Sequence, residues 1–348
     1  MTFLRYLLMG ACLSVVASCA PTEASQSTGQ STGQSTEQST EQSTERTDKT
    51  DQHRPTTPLN NGEFRDILNE FMGLNERLER IASRIKIANA DLCDATEHDI
   101  GISTHTLSDY PEELQNAAHH YLNVDENLSV RTVRPKSSAH KAGLRTGDQI
   151  TEINEASLIA SPLFTDNAEA GPIAKAVFHS LLDRLTPAEF AVVDYKRGST
   201  TRRAELEVTP KCKLPVTLFY SEDINGHLIE GEVWMTSGLM RTVQDDVRVA
   251  YIMAHEMAHA LHGHSDKHTP DIELEADRTG LILLARAGYN PASLATFWTE
   301  QINLFDGGDT SSASHPDLIT RENNYTATLS LINQAGQDDE TLKILFFQ

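Results

Sequence analysis

The sequence predicts an α+β chain: a mainly helical domain with a small β-sheet, interrupted by an inserted β-rich segment. Three observations carry this. Apolar residues step by three and four through Phe64, Ile67, Leu68, Phe71, Leu74, Leu78, Ile81 and Ile85, which marks one stripe of a long helix. From about 94 to 211 the texture changes to short alternating runs broken by turn residues. Beyond Leu214 two brief alternating runs give way to the apolar helical stretches VRVAYIMAHEMAHALHG and DRTGLILLARAG.

Taken in order, residues 1–18 hold a single Arg5, an apolar run too short to span a bilayer, and small residues ahead of Cys19, the layout of a secretory signal. Val16-Ala17-Ser18-Cys19 resembles a bacterial lipobox, which implies cleavage before Cys19 and lipid on its sulfur; a plain signal peptide is the simpler alternative. Ala20 stands where an inner-membrane retention signal places Asp, so the resemblance implies a lipid anchor in the outer membrane, facing the periplasm. Residues 19–58 are dominated by Ser, Thr, Gln, Glu and Gly with S-T-G-Q and S-T-E-Q repeats, a disordered tether with no large apolar residue to bury. As a random coil it would reach on the order of 35 Å. The formal net charge of -21 argues against nucleic acid as a partner.

Residues 59–92 are assigned to the striped helix, and 93–212 to the inserted segment. Within the latter, LSVRTVRPKSSAHKAGLRTGDQITEINEASL resembles a PDZ domain, with its A-G-L-x-x-G-D core. Gly143 and Gly147 permit positive backbone angles around a short helix, Leu144 and Ile150 fill a core, and Asp148 can cap the turn. The resemblance places Ile100, Gly101 and Ile102 at a carboxylate-binding loop, where a partner's C-terminal peptide would add a strand; a core strand is the alternative for these three residues.

After removal of the signal, Cys93 and Cys212 are the cysteines left without lipid, and they flank the PDZ-like segment. In an oxidising compartment such a leftover pair is expected to form a disulfide, with two separate buried thiols as the alternative. The bond would clip together the two ends of the insertion. The helix before Cys93 and residues 213–348 would then form one domain, which also supplies the striped helix with its partner surface.

In residues 213–348, LPVTLFYSED reads as a strand, Asn225-Gly226 as a turn, and GEVWMTSGLM as a strand entering a helix. Asp245-Asp246 can cap the next helix, on which His255 and His259 stand four apart and share a face, as two ligands of one zinc ion would. Glu256 lies next to them as a general base. A metzincin pattern would need Gly at 262 and His at 265, but those positions hold His262 and Ser265, so Gly263-His264 is out of register. Fourteen residues after His259 comes E-L-E-A-D, where Glu273 and Asp277 are four apart, one able to bind zinc and the other to hold an imidazole. Glu275 is the alternative ligand. His262 and His264 are expected in solvent or just outside the ligand set.

H-E-M-A-H followed by E-L-E-A-D resembles the gluzincin peptidases of the prenyl-protease and HtpX-like family, in its soluble periplasmic BepA-like branch, from about Leu214 to Arg321. The resemblance implies one zinc ion on His255, His259 and Glu273, Glu256 as catalytic base, Asp277 and Arg321 as supports, and His315 of His315-Pro316 approaching the zinc as a catalytic or latching group. His315 as an ordinary helix-end residue is the alternative. The family has Asn-Ala where this chain has Asn225-Gly226. The implied activity is zinc-dependent hydrolysis of peptide bonds in misfolded or mistargeted envelope proteins, with substrate extended along Glu232 to Thr236. A periplasmic adaptor with a latent zinc centre is the other reading.

Overall fold

The computed structural model describes residues 61–159, 170–186, 189–264, 269–297, 300, 316–336 and 338–347. The signal, the tether, Cys19 and His315 lie outside the described residues.

Helix α1 (Asn61–Ala88) carries the apolar stripe, with Leu68, Leu78, Ile81 and Ile85 all buried. Its two halves serve two cores. Leu78, Ile81 and Ile85 join the core that also holds Val249, Met253, Met257 and Leu281. Leu68, with Phe64 and Phe71, packs instead on Tyr110, Leu114, Ala118 and Val124. The expectation that the stripe finds its partner only beyond Cys212 therefore needs correcting: the following segment covers the first half. The physical reason is that a helix of 28 residues is about 42 Å long, more than one small core can cover.

Strand β1 (Thr96–Asp99) leads into β2 (Ile102–His105), helix α2 (Glu112–Leu122), β3 (Ser129–Val133) and the one-turn helix α3 (Ser138–Lys141). Then follow β4 (Gln149–Ile153), β5 (Ala156–Ser157), α4 (Ala170–Asp183), β6 (Phe190–Arg197), β7 (Thr200–Glu207) and β8 (Thr209–Cys212). The sheet order is β2-β3-β4-β6-β7, with β5 beside β4. Its core holds Ile100, Leu128, Val130, Leu144, Ile150, Phe178 and Val193. The glycine and aspartate readings hold: Gly143 and Gly147 have φ of 82° and 84°, and Asp148 accepts from the Arg145 N–H at 2.8 Å. Strands β1 and β8 pair antiparallel, with Thr96 opposite Cys212, and Cys93 is bonded to Cys212 across a Cα–Cα distance of 5.6 Å.

Beyond β8 come β9 (Val216–Phe219), β10 (Gly226–Ile229) and β11 (Glu232–Thr236), then helices α5 (Ser237–Thr242), α6 (Asp246–Leu261), α7 (Pro270–Arg286), α8 (Leu318–Ala335) and α9 (Asp339–Phe346). Two corrections arise here. The turn falls at Glu230-Gly231, whose φ values of 49° and 81° suit a two-residue hairpin, and Asn225-Gly226 opens the extra strand β10. The strand order is β10-β11-β9, antiparallel then parallel, so Glu232–Thr236 is the middle strand with both edges already paired. It has no backbone groups left to receive an extended substrate, whereas β10 and β9 are the edge strands among the described residues.

Candidate metal centre

Helix α6 begins at Asp245, whose side chain accepts from the Val247 N–H, and it is buried from Val249 through Ala254. Helix α7 begins at Thr269 with Pro270 in its first turn. The two helices come close where Gly280 faces His255: a Cβ on Gly280 would stand 3.1 Å from the His255 backbone nitrogen. This contact brings the E-L-E-A-D turn of α7 over the H-E-M-A-H turn of α6.

His255, His259 and Glu273 converge, with one ligand atom from each within 4.8 Å of the others. The two Nε2 atoms are 3.1 Å apart, and Glu273 oxygens lie 3.4 Å from His255 Nε2 and 3.7 Å from His259 Nε2. His259 and Glu273 are buried, so the cluster is largely shielded from solvent. His255 Nδ1 lies 3.0 Å from Asp277 Oδ1. Burial alone would push the His255 pKa down, but Asp277 and Glu273 outweigh burial and carry it up to about 10. A site that pulls so hard on a proton is one that favours a cation.

Asp277 is itself held from three sides. Arg321 donates to both oxygens, at 2.7 and 2.5 Å, and the Tyr251 hydroxyl donates to Oδ1 at 2.9 Å. Burial acts to raise the Asp277 pKa, yet Arg321 and His255 outweigh it and keep the carboxyl below the usual range. Tyr251 is buried on α6, and its hydroxyl contact carries no signal in the sequence because the partner lies on another helix.

Glu275 does not take the place of Glu273. It is half exposed and pairs with His264, whose Nε2 lies 3.2 Å from Glu275 Oε2. The second nitrogen of His259, Nδ1, lies 3.2 Å from His264 Nδ1. His262 turns away from the cluster to Thr279 Oγ1 at 3.0 Å and stacks on Phe346. Glu256 lies beside the start of β10, where a Cβ on Gly226 would come within 3.7 Å of Glu256 Cγ and 3.0 Å of Ile252 Cγ2.

The donor chemistry fits a zinc ion. Two imidazole nitrogens and a carboxylate oxygen meet, each imidazole has its other nitrogen next to a polar side chain, and three protein donors leave a coordination position open.

In the β-rich segment, Gly101 has a φ of 90°, and a Cβ there would overlap Ser137, so only glycine fits. Ile100 is buried, and its carbonyl accepts from the Ala139 N–H at 3.0 Å. Strand β2 ends the sheet, and the adjoining α4 exposes Ile173 and Val177. No helix among the described residues is long and apolar enough to cross a membrane.

Residues 216–271 match the family model Peptidase family M48, which takes in His255, Glu256 and His259 and stops just short of Glu273. Residues 93–163 match the family model PDZ domain. No curated protein matches the chain. Among solved structures, the HtrA3 PDZ domain bound to a phage-derived ligand (FGRWV) is 18% identical, with 34% of this chain and 92% of that chain covered and a TM-score of 0.23. The two family matches support a metallopeptidase of family M48 that carries a PDZ domain.

Proposed function

We propose that the protein is a zinc-dependent endopeptidase of the soluble BepA-like branch, acting on misfolded or mistargeted proteins of the cell envelope. The observation that carries it is the convergence of His255, His259 and Glu273 next to Glu256, beside a strand with an open edge. His255, His259 and Glu273 would hold the ion, which supplies Lewis-acid chemistry when bound. Glu256 takes a proton from the attacking water and delivers it to the leaving amine. Asp277, fixed by Arg321 and Tyr251, holds His255 with its Nε2 toward the cluster.

Substrate lies along β10. The Thr236 N–H donates to the Asn225 carbonyl at 3.0 Å, so by antiparallel alternation Gly226 and Leu228 turn their backbone groups to the outer edge. The Gly226 N–H is engaged by Asn225 Oδ1 at 2.9 Å, which among the described residues leaves its carbonyl and the Leu228 peptide groups for substrate. Backbone pairing of this kind reads extension rather than sequence, which suits unfolded polypeptides. The edge of β2 beside Ile100–Ile102 receives C-terminal peptides, and the PDZ-like segment 93–212 is an insertion within the peptidase domain formed by residues 59–92 and 213–348. Its lipobox-like residues anchor it through Cys19 to the outer membrane, facing the periplasm.

The test is zinc content together with casein cleavage. About one zinc per chain is expected, with cleavage lost by at least ~100-fold in Glu256→Gln while zinc is retained. Undiminished cleavage by that variant would overturn the mechanism.

A further inference from the structure

The out-of-register Gly263-His264 pair has a structural cause and a chemical consequence. Helix α6 ends with Gly263 at φ 65°, the Gly263 N–H donating to the Ala260 carbonyl at 3.2 Å and the His264 N–H donating to the His259 carbonyl at 2.9 Å. These two bonds reverse the chain over the last turn, an arrangement that a left-handed glycine permits and that satisfies the orphan carbonyls. The reversal lays His264 against His259, with ring centroids 5.3 Å apart. His264 Nδ1 faces His259 Nδ1 at 3.2 Å, and His264 Nε2 faces Glu275 Oε2 at 3.2 Å.

We propose that His264 is a positioning residue for the zinc ligand His259, fixing its tautomer through a relay that ends on Glu275. This rests on the zinc peptidase reading above. Proton bookkeeping gives the direction. His259 Nε2 faces His255 and Glu273, so to bind a cation it must offer a lone pair there and carry its proton on Nδ1. His264 Nδ1 then accepts, which puts the His264 proton on Nε2, where it donates to Glu275. The opposite direction would place a proton on His259 Nε2 and block the ligand. His255 is aimed by a buried aspartate directly, and His259 by a carboxylate one imidazole away. Because Glu275 is half exposed, that second relay ends in solvent.

The test is zinc affinity, read by competition with a chromogenic chelator, with the apo fold checked by circular dichroism. Removal of an outer partner of a ligand histidine typically weakens metal binding about 10–100-fold, and that loss is expected in His264→Leu. His264→Asn, whose Oδ1 can sit where Nδ1 sat and accept the same proton, is expected within about threefold of the wild type, and Glu275→Ala to lose a few-fold. Affinity in His264→Leu within about twofold of the wild type, or no rescue by Asn, overturns the relay. Should His264→Leu fail to fold, Glu275→Ala decides on the same readout, unchanged affinity overturning it. A wild-type chain that takes up no zinc sinks the peptidase reading itself, whereas a zinc-binding, casein-cleaving wild type with an indifferent His264→Leu sinks only the relay.

Discussion

His105 shows how one buried ring couples the β-rich segment to pH. It is 2% exposed on β2, its Nδ1 2.7 Å from the Tyr110 hydroxyl. Burial, helped by Arg131, pushes its pKa from 6.5 down to about 3, against the weaker opposing pull of Asp109. The folded state therefore keeps the ring neutral where the unfolded chain protonates it. The stability this contributes is complete above pH 6.5 and is lost as pH falls toward about 3. In urea unfolding, the wild type is expected to lose on the order of 2 kcal/mol more than His105→Gln between pH 7 and about pH 4.5. Equal losses would show that His105 is not the titrating group. At this scale the sequence was informative where spacing alone decides geometry. His255 and His259 share a face because they are four apart on a helix, and so do Glu273 and Asp277. Tyr251, His264 and Glu275 gave no such signal, since their partners lie on other elements or across a chain reversal.

Among the elements, α1 holds α5 and α6 in place through Arg77. That side chain donates to the Met240 carbonyl at 2.6 Å and the Val243 carbonyl at 2.7 Å, at the end of α5, and to Asp246 Oδ1 at 2.8 Å in the first turn of α6. One guanidinium thus satisfies the carbonyls that α5 leaves open and the acidic start of the helix bearing His255 and His259. Arg77→Ala is expected to cost about 2 kcal/mol in denaturant unfolding, because it strands two carbonyls and a carboxylate. A loss below about 0.5 kcal/mol would mean that water replaces the contacts without penalty. The strands were less legible than the helices. An Asn-Gly pair is a strong turn signal, yet Gly226 is used for close approach to α6 and the hairpin closes at Glu230-Gly231. Turn propensity is local, and here the packing of β10 on Ile252 and Glu256 overrides it.

Across the whole molecule, α1 belongs to both cores, and the Cys93–Cys212 bond with the β1–β8 ladder closes the segment between them. Closure over a sequence separation of 119 restricts the unfolded chain strongly. Reduction, or the Cys93→Ser/Cys212→Ser pair, is expected to lower unfolding free energy by up to about 4 kcal/mol. A loss under about 1 kcal/mol would assign the closure to the ladder and to the Lys86–Glu97 ion pair, 2.9 Å long. The sequence by itself determined the local patterns: the striped helix, the A-G-L-x-x-G-D turn, and two pairs of metal-site residues at helical spacing. These depend on backbone geometry over a few residues, which is the same wherever the helix or turn occurs. Only the tertiary structure decided which strands lie at the edge of the sheet, how α1 divides between two cores, and that His264 and Tyr251 contact His259 and Asp277. Those follow from strand order and helix contacts between residues far apart in the chain, and such contacts are set by the packing of the whole core rather than by the spacing within any one segment.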